Sequence, residues 1–172
     1  MENLQSVANY LHEQQLTVAT AESCTSGLVA GRLGDMPGCG EWFKLGYVTY
    51  SATAKNKVLG VKFETIDQYN LTSEEVAREM VEGVLRNTVA DIAVSNTGVA
   101  GPGPGEGGIP PGTICFGWGF RQLGKTVILT EKRHFDGDRH AVRVAASNYA
   151  VDRIPDMHAK ALEQIVAAKN AA

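Results

Sequence analysis

The stretch "TAESCTSG", residues 20–27, sets Glu22, Ser23, Cys24, Thr25 and Ser26 side by side where an alternating run, "LTVAT", gives way to an apolar one, "LVAGRL". A serine at a junction of strand and helix lies beside amides that the helix leaves unpaired, and those amides can stabilise an oxyanion or bind an anionic ligand. Ser23 is therefore a candidate nucleophile, with a plain helix cap as the competing reading of the same residues. A hydroxyl needs a base at neutral pH. None of His12, His134, His140 and His158 falls at an expected strand end, which turns attention to Lys55. A lysine in the first turn of a helix faces the positive end of the helix dipole, and burial would lower its pKa further. Tyr50, earlier in the same segment, could relay a proton between Lys55 and Ser23. A solvated surface lysine is the alternative, since Lys57 and Lys62 stand nearby. Cys24 is a rival nucleophile, but with no histidine near it in sequence it reads as a small buried thiol.

A second candidate feature is "TGVAGPGPGEGGIPPG", which begins at Thr97. Its glycines expose amides without side chains in the way, so the backbone at Thr97, Gly98, Ala100 and Gly101 can approach a phosphate or carboxamide. It is no Walker loop, because GxxxxGK[ST] is absent, and no GxGxxG opens a helix. Phosphoryl transfer and dinucleotide-dependent redox chemistry are disfavoured accordingly. "FDGDRH" lacks the remaining ligands of a calcium loop and reads as an aspartate cap, with Arg139 in the first turn available to clamp a phosphate. No spacing supports a metal site.

These residues need elements to position them. Helical spacing covers residues 2–15, strand-like alternation residues 16–22, and a second helix covers residues 26–36, stopped by Pro37. "KLGYVTYS" reads as a strand followed by the helix "ATAKNKVLG", and "LTSEEVAREMVEGVLRNT" as a helix with Thr72 and Glu75 forming a capping box. "DIAVSNTGV" is a strand, and "TICFGWGF" and "KTVILTEKRHF" flank "RQLG" as an antiparallel hairpin. A final helix, capped by Asp136 or Asp138, is broken at Pro155. The sum predicts an α/β three-layer sandwich: a mixed, mostly parallel sheet with helices on both faces and a C-terminal antiparallel hairpin. In such sheets ligands bind beyond the carboxyl ends of the parallel strands. If the first three strands are parallel and adjacent, Ser23, Tyr50, Lys55 and the Thr97 loop converge.

The 172 residues fit one domain, residues 1–172, with 155–172 as a C-terminal helical extension. With 16 basic and 19 acidic residues the chain offers no strong positive charge for nucleic acid or an anionic membrane, so the expected partner is a small molecule. Three cysteines without CxxC spacing and an N-terminus lacking a signal-peptide profile point to a cytoplasmic location.

The order of "TAESCTSGLVAGRL", "GYVTYSATAK", "VLGV", "TSEEVA", "NTGVAGPG", Gly112-Thr113 and "FDGDR" resembles the C-terminal domain of the competence/damage-inducible CinA family, in particular its stand-alone nicotinamide-nucleotide amidohydrolases. The resemblance covers residues 5–150. It implies a homodimer, no metal or organic cofactor, and hydrolysis of the carboxamide of nicotinamide mononucleotide to nicotinic acid mononucleotide and ammonia in pyridine-nucleotide salvage. Ser23 would be the nucleophile, supported by Lys55 and Tyr50. Helix-start amides around Thr25 would hold the oxyanion, Ser26 would lie among the substrate-binding residues, and the Gly98–Gly103 loop with Arg139 would hold the ribose phosphate. The chain departs from the family pattern at Ser26, where a glycine is usual, at Ala52 in place of asparagine, and in a loop that lacks the usual lysine. Those departures leave open a catalytically silent nucleotide-binding or regulatory module on the same fold.

Overall fold

A computed structural model describes residues 2–170; Ala171 and Ala172, the end of the expected extension, lie outside the described residues. The order is α1 (Glu2–Glu13), β1 (Val18–Glu22), α2 (Leu28–Gly34), β2 (Phe43–Val48), α3 (Ala52–Leu59), α4 (Phe63–Tyr69), α5 (Glu74–Asn87), β3 (Ile92–Gly98), β4 (Thr113–Gln122), β5 (Lys125–His134), α6 (Arg139–Asp152) and α7 (Ile154–Asn170). The strands form one sheet in the order β2-β1-β3-β4-β5, with β1 parallel to both β2 and β3, and the β3–β4 and β4–β5 pairs antiparallel. It is a mixed α/β sheet with helices on both faces.

Alternation along the strands sorts the two layers. Val18, Ile92, Val94, Phe116, Trp118 and Phe120 face the layer of α1, α2, α6 and α7, where Leu11, Leu33, Val142, Ala146 and Ile154 meet them. Here the Trp118 indole donates to Ala150 O at 2.9 Å, so the buried ring leaves no unpaired N–H. Ala19, Ala21 and Ala93 face the other layer, against Leu59, Val76, Met80, Val81 and Val84 of α3 and α5. Small residues on this side let α5 lie close to the sheet: a Cβ at Gly119 would stand 2.3 Å from Val81 Cγ1, and one at Gly117 would meet Ala77 O at 2.9 Å.

One local reading is corrected, one helix is added and one alternative is resolved. The cap of α5 is Ser73, whose hydroxyl accepts from the Val76 amide, rather than Thr72. The short helix α4 went unpredicted because two turns after Gly60 carry too little periodicity to register. Asp138, not Asp136, caps α6 by accepting from the Ala141 amide. None of the described helices is long and apolar enough to cross a membrane.

The hairpin turn is tighter than "RQLG" suggests, because the strands continue to Gln122 and resume at Lys125. Leu123 (φ 53°) and Gly124 (φ 73°) both lie in the left-handed region, as a type I′ turn requires. Leucine is a poor occupant of that region, since its Cβ crowds the carbonyl. Leu123→Asn is expected to stabilise the protein by about 1 kcal/mol, measured as a higher denaturant midpoint at unchanged m-value.

Candidate functional site

The carboxyl ends of β1, β2 and β3 share one edge of the sheet, and chain leaving β1 runs toward β2 while chain leaving β3 runs toward β4. That divergence opens a crevice between the ends of β1 and β3, the place where doubly wound sheets bind ligands. A cavity of about 210 Å³ lies there, lined in part by Ser23, Cys24, Tyr50, Thr97 and Gly98.

Ser23 and Lys55 meet behind its wall. The Lys55 side chain is fully buried and its Nζ donates to Ser23 Oγ at 2.7 Å and to Thr49 O at 2.9 Å. The direction of the helical Cα–Cβ bond explains this reach: it tilts toward the N-terminus of α3, back over the end of β2. Loss of water pulls the Lys55 pKa from 10.5 down to about 8. Burial pushes the Cys24 thiol up to about 12, so it stays protonated and is a poor nucleophile at neutral pH.

Tyr50 follows the strand instead of ending it, since β2 stops at Val48. Its hydroxyl accepts from Arg139 Nη2 at 2.7 Å, and Arg139 Nη1 donates to Gly101 O at 2.8 Å, so Arg139 ties the Tyr50 turn to the glycine loop. Lys55 contacts Ser23 directly, and the Tyr50 hydroxyl bonds to neither of them among the described residues. Among the other expected site residues, Thr97 is buried with its hydroxyl donating to Leu71 O, and Ala100 packs in the core behind the loop. Gly98 is held close to β4, where a Cβ would fall 2.5 Å from Thr113 O. Among the described residues no cluster of three or more His, Cys, Asp or Glu side chains gathers to hold a metal.

Glu22, Asn96 and Arg143 build the site's support, and the sequence reading gave them no role. Glu22 is completely buried and accepts from Thr25 Oγ1 at 2.6 Å and from the amides of Gly27, Val29 and Ala30 at 2.9, 3.0 and 2.8 Å. Glu22 thus occupies the amides at the start of α2, and the Ser26 amide donates to Ser23 O at 3.1 Å. A turn, residues 24–27, also separates Ser23 from α2, which begins only at Leu28. The amides of Cys24 and Thr25, by contrast, have no carbonyl or carboxylate partner among the described residues. Asn96 on β3 accepts the Ser23 amide on its main-chain oxygen, while its Oδ1 accepts from Thr25 Oγ1 at 3.0 Å. Arg143 donates to Cys24 O, Thr25 O and Ser26 Oγ, closing the turn from α6. Ser26 sits at φ 45°, which accounts for a glycine preference at this position. Its hydroxyl lies against Arg143, and Ser26 does not line the cavity. A carboxylate on the inward face of β1, in register with Val18 and Thr20, was the available signal for Glu22, because a charge there must be fully partnered.

Glu22→Gln replaces one acceptor oxygen with an amide that opposes the converging N–H groups. It is expected to cost roughly 2–3 kcal/mol, read by chemical denaturation.

Comparison with known proteins places the chain. Residues 2–158 match the CinA C-terminal domain family. Over 134 residues the chain is 46% identical to the nicotinamide-nucleotide amidohydrolase PncC of Enterobacter agglomerans, covering 78% of this chain and 80% of that protein. It is 47% identical over 135 residues to a CinA-like protein of Chlorobium phaeobacteroides, covering 77% of this chain but 32% of that longer relative, so the chain spans about a third of its length. The crystal structure of a competence damage-inducible protein A from Klebsiella pneumoniae superposes with a TM-score of 0.86 at 37% identity, covering 92% of this chain and 96% of that one.

Proposed function

The chain belongs to the CinA C-terminal domain family, and on that premise we propose that it is an amidohydrolase converting nicotinamide mononucleotide to nicotinic acid mononucleotide and ammonia, with Ser23 as nucleophile and Lys55 as its base. Its likeness to a nicotinamide-nucleotide amidohydrolase supports the reaction class. The observation that carries the mechanism is the 2.7 Å contact between Lys55 Nζ and Ser23 Oγ, remote in sequence and buried together.

In the neutral form of Lys55 the same contact runs in the opposite sense, the Ser23 hydroxyl donating to the amine lone pair. Ser23 Oγ attacks the carboxamide carbon as its proton passes to Lys55. Negative charge gathers on the carbonyl oxygen, where the amides of Cys24 and Thr25 supply the donors left free by Glu22. Collapse of the tetrahedral species breaks the C–N bond. The departing nitrogen takes the proton from Lys55 and leaves as ammonia, and Ser23 holds an ester. Water then adds to the ester, giving its proton to Lys55. The amine returns the proton to Ser23 Oγ as the carboxylic acid departs. The cavity, at about 210 Å³, is smaller than the 300–1,000 Å³ usual for whole drug-sized ligands, so it suits the pyridine carboxamide while the ribose phosphate lies outward, near Arg139.

Three outcomes are expected. Wild-type protein releases ammonia from nicotinamide mononucleotide and Ser23→Ala does not; equal background rates in the two would leave the silent-module reading standing. The rate kcat/KM rises with pH through about 8, the value to which burial brings Lys55. Lys55→Met abolishes turnover yet keeps the buried stem, and it is more stable than wild type below that pH. The sign follows from linkage: the folded amine releases its proton at about 8 and the unfolded one at about 10.5, so wild type regains stability, and the gap narrows, as pH rises between them. Thermal melts across that range check it.

A further inference from the structure

The cavity wall opposite the Ser23 turn is built by residues 105–109, the end of the glycine loop. Gly105 N donates to Ile109 O at 2.8 Å and Gly108 N to Gly105 O at 3.1 Å, so this stretch is a closed turn. It packs on Asn70, whose Nδ2 stands 3.5 Å from where a Gly107 Cβ would be. Glu106, a solvent-exposed residue of this turn, is the one Asp, Glu, Lys or Arg among the residues that line the cavity. Its carboxylate makes no hydrogen bond or ion pair among the described residues. The cation bordering the site is Arg139, which reaches it through the Tyr50 hydroxyl and Gly101 O. An unpaired carboxylate on the wall and a guanidinium at the rim make a site with two ends of opposite sign.

We infer that Glu106 is a specificity-determining residue, which selects amides carried on a positively charged ring over neutral amides, while Arg139 takes the substrate's anionic end. The inference rests on the function proposed above and adds to it the charge of the acceptable ring. An N-substituted pyridinium brings its positive charge into the cavity with the carboxamide, and a carboxylate with no protein partner of its own is compensated by that charge. A phosphate on the Glu106 side would be repelled, which orients the substrate with its ring inward. Neutral amides gain nothing from Glu106.

The test compares nicotinamide mononucleotide with its reduced dihydropyridine form, which keeps the ribose phosphate and carboxamide but has a neutral ring. Each substrate's intrinsic reactivity cancels when variant is compared with wild type on that same substrate. Glu106→Gln is expected to lower kcat/KM on the oxidised nucleotide about five- to tenfold, chiefly through KM, and to change it by less than about twofold on the reduced one. An equal fall on both, no fall on the oxidised form, or a gain on both would overturn the assignment. Binding by calorimetry separates this from the catalytic proposal. In a Ser23→Ala background, the oxidised nucleotide should bind more tightly than the reduced one, and Glu106→Gln should erase that preference. Such a result upholds Glu106 even where wild type shows no turnover, whereas binding without preference for the oxidised form, or no binding of either, would sink it.

Discussion

A buried amine governs this site. Deprived of water and left with one hydroxyl and one main-chain carbonyl as partners, Lys55 holds its proton weakly, which is the property the proposed base needs. The same burial costs stability, since a charged ammonium is poorly accommodated there. The rest of the molecule must therefore hold Ser23 against Lys55 tightly enough that the contact survives. β1 supplies that rigidity because it is paired on both sides, with β2 and β3, through its last residue.

Glu22 serves a different need. Had the N-terminal amides of α2 been left open, water or any passing anion could have occupied them. The carboxylate fills them from inside the fold and draws Thr25 into the same cluster, which Asn96 completes from β3. Arg143 closes the turn from the opposite direction by taking two of its carbonyls. Donors and acceptors of the turn are thereby sorted: carbonyls face Arg143, helix amides face Glu22, and the amides of Cys24 and Thr25, beside the Cys24 sulfur, take no carbonyl or carboxylate.

What could be read from sequence, and what could not, divides by range. Strand ends and helix starts are local signals, so the convergence of Ser23, Tyr50, Lys55 and the Thr97 loop was legible from alternation and from the rule that parallel strands present their carboxyl ends together. The burial of Lys55 was not, because Lys57 and Lys62 in the same segment share its local pattern and stay near the surface. The Arg143 contacts span more than a hundred residues and have no sequence periodicity to announce them. The boundary of α2 was misplaced by two residues, since the turn at 24–27 is stabilised by Glu22 rather than by its own propensities, and tertiary partners override local preference there.

The central position of β1 carries a last consequence. A strand paired on both sides cannot peel away without breaking two ladders at once, whereas the edge strand β2, with Leu45 and Val48 exposed, can loosen alone. Hydrogen exchange at the β1 amides would consequently report rupture of the whole sheet, while β2, which leads into the Tyr50 turn, would exchange through smaller openings. Ser23 is thus anchored at the end of a doubly paired strand while Lys55 follows an edge strand, so partial unfolding would separate the pair before Ser23 itself moved.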